Sequence, residues 1–192
     1  MPGVAVLPTA GEVAANPMRV LRWFLHPFQS RRAAEAEADL RGWHAACDET
    51  LQACLGSLAD SQLPRGEIGV VLDRIDRTLF RLRDSGSGAQ SYLRGTSPDL
   101  GRRLRQTSEG IVQLRNETAR YLIRAQGPTP SYLGGGRQPE GSREGYERAL
   151  AEIGRPARQR ALGLERELRQ VWTELQPLLA DLARAGQGRQ GG

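Results

Sequence analysis

Four stretches of the chain carry apolar residues alternately three and four positions apart, the period that sets them on one stripe of an α-helix. The cleanest runs through Leu100, Leu104, Thr107, Ile111, Leu114, Thr118, Tyr121 and Ala125. A second follows Ala161, Leu164, Leu168, Val171, Leu175, Leu178 and Leu182. A third is Ile68, Leu72, Ile75, Leu79 and Leu82, and a looser fourth is Leu40, Trp43, Cys47, Leu51, Cys54 and Leu58. No segment sustains the period-two alternation of a strand. The fold class is therefore all-α, an antiparallel bundle of about four long helices with disordered termini.

Local signals place the ends of these helices. Residues 1–29 read as a mobile N-terminus holding one short amphipathic segment, Met18 to Leu25, opened by Asn16-Pro17 and closed by Pro27. The first long helix is expected from about Ser30 to Ala59. The second begins at Pro64 and is expected to stop at Ser85-Gly86-Ser87-Gly88, or to be extended past it by a broken piece across Ala89–Arg94. Ser97-Pro98-Asp99 combines a cap, a first-position proline and an acid at the positive helix end, so the third helix should start there and run to about Gln126. Residues 127–141 read as a flexible linker. The fourth helix spans 142–185 with a break or kink at Gly154 and Pro156 and a second bend at Pro177, and 186–192 form a disordered tail. The long linker leaves open a three-helix unit whose last helix pairs with another chain.

All 27 basic residues are arginine, and the chain contains no lysine. A GC-rich, bacterial type of coding sequence gives this bias without selection on the protein. The formal net charge is +5, and it is uneven. Residues 1–64 carry five Arg against seven acids, residues 65–126 twelve against seven, and residues 127–192 ten against eight. The excess thus falls mainly on the second and third helices. Guanidinium groups hold phosphate and carboxylate bidentately and do not titrate, although the acids interleaved with them dilute the field they project.

The only two cysteines, Cys47 and Cys54, lie seven apart on one helix, about 10 Å at helical rise. That exceeds the roughly 7 Å Cα limit of a disulfide, so the two are expected as free thiols in the core, which suits a reducing compartment. The first Arg is Arg19, so the N-terminus lacks the basic region of a secretory signal. No apolar run approaches the ~20 residues of a spanning helix. The expected location is cytoplasmic, with a peripheral membrane association as the alternative.

Catalytic constellations are not evident. The Glu-x-x-His pair of bundle di-iron sites is missing, because Arg41 precedes His44 by three and Trp23 precedes His26 by three. There is no Gly-x-Ser-x-Gly elbow, and a phosphate loop that ends in Gly-Lys cannot occur without lysine. No cofactor, metal or small-molecule substrate is expected, and the chain reads as non-enzymatic.

Two kinds of contact residue remain. Val20, Trp23 and Phe24 give the N-terminal segment apolar bulk beside Arg19 and Arg22, which would suit a partner groove, a membrane interface or one end of the bundle. Trp172 and Leu179 stand beside the fourth helix's stripe and are candidates for a contact outside the core. Arg74, Arg77 and Arg81 share a face of the second helix, Arg102 and Arg103 crowd the start of the third, and Arg155, Arg158, Arg166 and Arg169 share a face of the fourth. Such stripes fit a polyanion or a salt-bridged, solvated face. The sequence points first to an interaction or scaffold module that binds a protein partner, or itself, through apolar helix faces. Its alternative is an arginine-rich binder of nucleic acid or an anionic membrane surface.

Overall fold

A computed structural model describes residues 17–59, 65–125 and 141–187, all helical except Ser97. Helix α1 is Pro17–Ala59, α2 is Arg65–Thr96, α3 is Pro98–Ala125 and α4 is Gly141–Gln187. The described chain divides into two compact units. One comprises residues 38–176, and the other holds the first part of α1, to Glu37, with the end of α4 from Pro177.

In the larger unit, contacts between helices fix their directions. Thr50 of α1 donates from its hydroxyl to Thr78 of α2 at 2.8 Å, while Trp43 faces Gly86, so α1 and α2 run antiparallel. Asp76 of α2 pairs with Arg115 of α3. A single non-helical residue, Ser97, joins those two helices, its N–H donating to the Leu93 carbonyl at 2.8 Å. Arg103 pairs with Glu174, and Arg160 with Glu117, so α3 and α4 are antiparallel as well. Trp43 donates from Nε1 to Ser108 Oγ at 2.9 Å, joining α1 to α3, which run parallel because each is antiparallel to α2. The result is a four-helix bundle with antiparallel sequential neighbours.

The periodic residues build its core. Leu40, Trp43, Cys47, Leu51, Cys54 and Leu58 of α1 have no exposed surface, and the α3 stripe from Leu104 to Tyr121 is buried throughout. Burying each Leu or Ile contributes about 1.5–3 kcal/mol over leaving it in water. Polar atoms in this core are mostly paired. Thr78 accepts from Thr50 and donates to the Ile75 carbonyl at 2.7 Å. The buried hydroxyl of Thr107 has no hydrogen-bond partner, whereas that of Thr118 lies against the Cys54 thiol.

Helix α2 does not stop at Ser85–Gly88. It continues to Thr96 and buries Ala89 and Leu93. The small residues are there because α1 crosses close by. A Cβ on Gly42 would stand 2.7 Å from Ser85 Oγ, and one on Gly88 would overlap the Asp39 carboxylate. The missing side chains that weaken a helix in isolation here let two helices touch.

Pro27 does not end a helix, and Pro156 does not interrupt one. Helix α1 runs unbroken through Pro27, so the short segment and the first long helix are one element of 43 residues. Helix α4 runs through Pro156 and Pro177. Both of these prolines are exposed, as are Glu152 and Thr173 four residues earlier. The carbonyls they leave without a donor therefore face solvent and can bond water. Gly154 serves packing: a Cβ there would lie 2.8 Å from Tyr121 Cε2. Past Pro177 the buried stripe shifts by one position, to Leu179 and Leu182, with Leu178 half-buried. The expected linker, apart from Gly141, and the outermost termini lie outside the described residues. Among the described residues, no helix is long and apolar enough to cross a membrane.

Candidate interaction surface

The groups best suited to chemistry are absorbed by the core. Cys47 and Cys54 are free and buried, and burial pushes both thiols above their usual range. At neutral pH they stay protonated and poorly nucleophilic. His44 stacks on Trp172, with ring centroids 3.9 Å apart and planes 23° off parallel. Partial burial lowers the His44 pKa, opposed by the nearby Asp48 carboxylate, so the imidazole is neutral at pH 7. Trp172, expected to reach outward, is half-buried and spends its indole face on α1. Leu179 is buried, with 3% of its surface exposed.

Most of the singled-out arginines are engaged. Arg77 pairs with Asp73, Arg81 with Glu49 at 2.7 Å, Arg102 with Asp99 at 3.1 Å, Arg103 with Glu174, and Arg169 with Glu165 at 2.5 Å. The hydrogen bond from Arg103 lowers the Glu174 pKa. Arg158 donates from Nε to the Leu58 carbonyl at 2.8 Å and closes the C-terminal end of α1. Arg166 donates to the Leu162 carbonyl of its own helix at 3.3 Å. Arg74 and Arg155 are exposed and have no partner among the described residues. The side chains of Arg19, Val20, Arg22, Trp23 and Phe24 lie outside the described residues.

What remains open is the outer face of α2. Phe80 is 74% exposed and Val70 67%, the two most exposed of the large apolar side chains in the described residues. Neither belongs to a core position: the buried stripe of α2 passes through Ile75, Leu82, Ala89 and Leu93 on the opposite side. Phe80 forms a ridge between two grooves. On the α1 side, Glu49, Val70, Arg74, Arg77, Thr78 and Arg81 line a groove of ≈ 370 Å³. On the α3 side lies a larger trough of ≈ 490 Å³, whose floor is Leu82, Gly86 and Val112. Its α2 wall is Arg83, Ser87 and Gln90, and its α3 wall is Ser108, Glu109 and Gln113.

The sequence reading missed Phe80, although its signal was present. Phe80 is a large apolar residue next to, rather than on, the Ile75–Leu79–Leu82 ladder. Among the described residues, no group of three or more His, Cys, Asp or Glu is arranged to hold a metal ion. Compared with known proteins, the chain matches no family model, no curated protein and no solved structure.

Proposed function

We propose that the chain is a helical-bundle interaction protein whose outer α2 face receives a protein partner. The observation that carries this reading is Phe80, an aromatic ring 74% exposed on a helix whose other face is fully packed. Aromatic side chains of this kind dominate interface energetics when a partner covers them, and here the ring is bordered by grooves on both sides. The half-buried His44 and the raised thiols support a structural role for the groups that could otherwise act in catalysis.

The test is site-specific cross-linking in the native host, with Phe80→benzoylphenylalanine and, as a control on α4, Arg148→benzoylphenylalanine. A discrete protein adduct at position 80, absent at 148, is the outcome expected. Adducts absent from both positions, or equal at both, would refute the reading.

The alternative, a binder of polyanions, draws on arginines whose side chains have no partner among the described residues, such as Arg74, Arg83, Arg120, Arg124, Arg148 and Arg155. It requires binding to duplex DNA, RNA or anionic vesicles that weakens steeply with salt.

A further inference from the structure

The trough between α2 and α3 has a shape and a charge that together specify what fits it. Its floor is apolar, and it lies between two antiparallel helices, the setting in which a third helix packs its ridge. Ser87 of its α2 wall has Phe80 one heptad before it and Arg94 one heptad after it, a row of about 21 Å along α2, or some four helical turns. The row begins with the exposed aromatic and ends with a charge.

That edge is basic. Arg83 and Arg94 have no ion-pair or hydrogen-bond partner among the described residues. Across the trough, Glu109 forms an ion pair with Arg105 at 3.7 Å, which offsets the one acid on that wall. Nearby acids are already neutralised or turned away: Asp76 is held by Arg115 and Asp73 by Arg77, while Asp84 lies on the α1 side of Phe80. Glu109 is the one acid that lines the trough.

We infer that the α2–α3 trough is the docking site for an amphipathic helix with an acidic flank. This deepens, and rests on, the reading of the chain as an interaction protein. The partner helix lays its apolar stripe against Phe80, Leu82 and Val112. Its carboxylates meet Arg83 and Arg94, whose guanidinium forks are otherwise unspent.

The test is a selection on the full chain from a display library of 18-residue helical peptides. The library has a fixed leucine stripe and flanking positions randomised among Glu, Lys, Gln and Ser. Enrichment of Glu-rich peptides is expected, with binding weakened about tenfold or more by Phe80→Ser and by Arg83→Glu and reduced as salt rises. Both residues are exposed, so neither substitution disturbs the core, and circular dichroism checks that directly.

No enrichment, Lys-rich or neutral winners, or binding indifferent to both substitutions would overturn the inference. So would sedimentation equilibrium that shows a dimer broken by Phe80→Ser, since a second copy would then be the occupant. The cross-link at position 80 separates the two levels. An adduct without selection of acidic helices removes only the partner's chemistry, whereas the absence of an adduct removes the interaction reading itself.

Discussion

Three glycine-to-alanine substitutions separate helix propensity from close packing and so test the bundle directly. A glycine inside a helix is less favourable than alanine by about 0.8–1.0 kcal/mol, because it restricts more backbone freedom on folding. Gly56 on α1 is exposed, and an added Cβ meets nothing within 4 Å, so Gly56→Ala should gain about that amount. At Gly86 the new methyl would lie 3.5 Å from Trp43 Cδ1, an ordinary van der Waals contact. Gly86→Ala should therefore also stabilise by about 1 kcal/mol, although glycine there reads as a helix breaker. At Gly154 the methyl would stand 2.8 and 3.2 Å from two atoms of the Tyr121 ring, which is planar and buried and cannot fold aside. Overpacking of this kind costs about 1–3 kcal/mol, so Gly154→Ala should fall between neutral and about 2 kcal/mol destabilising after its propensity gain. Urea unfolding followed at 222 nm measures all three, with an unchanged m-value as the check that only stability moved. In thermal unfolding each kcal/mol is worth about 2–4 °C for a chain of this size. Loss of stability in Gly86→Ala as large as in Gly154→Ala would refute the continuous α2 and its crossing with α1.

Other outcomes follow from buried polar groups and helix ends. Thr107→Val removes a fully buried hydroxyl without a partner and should stabilise by about 1 kcal/mol in the same urea assay. His44 has a lowered pKa in the folded chain, so the unfolded state takes up more protons. Stability is thus fully present above the unfolded value of 6.5 and falls as pH drops through it toward the folded pKa; His44→Phe, which keeps a ring against Trp172, should flatten this dependence. Arg158→Ala leaves the Leu58 carbonyl without its donor and should cost about 1 kcal/mol. Iodoacetamide at pH 8 should leave Cys47 and Cys54 unmodified in the folded protein and label both in urea, as read by mass spectrometry.

How much of this was legible in the sequence depended on whether the information was local. The α3 stripe could be read residue by residue, because alternation of three and four is a property of one helix, and its start at Pro98 followed from Ser97-Pro98-Asp99. The Glu165–Arg169 pair was legible in the same way, since i and i+4 share a face. The Ser85–Gly88 stretch was misread because small residues have two opposite meanings. They loosen a lone helix, yet they permit a close crossing, and only the presence of α1 decides which applies. Helix α4 continues through Pro156 and Pro177 because a proline's cost depends on whether the freed carbonyl meets water. On the arginine faces the local pairs could be read from spacing, as with Arg77–Asp73 and Arg169–Glu165, whereas Glu49, 32 residues from Arg81, and Glu174, 71 from Arg103, could not. Phe80 was recoverable from the helical wheel of α2 alone, whereas the troughs beside it exist only once α1 and α3 are in place.

Quantitative affinity capture from the native host tests the central claim most directly, with tagged wild-type chain and Phe80→Ser compared side by side after nuclease treatment. The account predicts a protein recovered in stoichiometric amount with the wild type and depleted about tenfold or more with Phe80→Ser. Equal recovery of the same partner by both chains, or no stoichiometric partner with either, would contradict it.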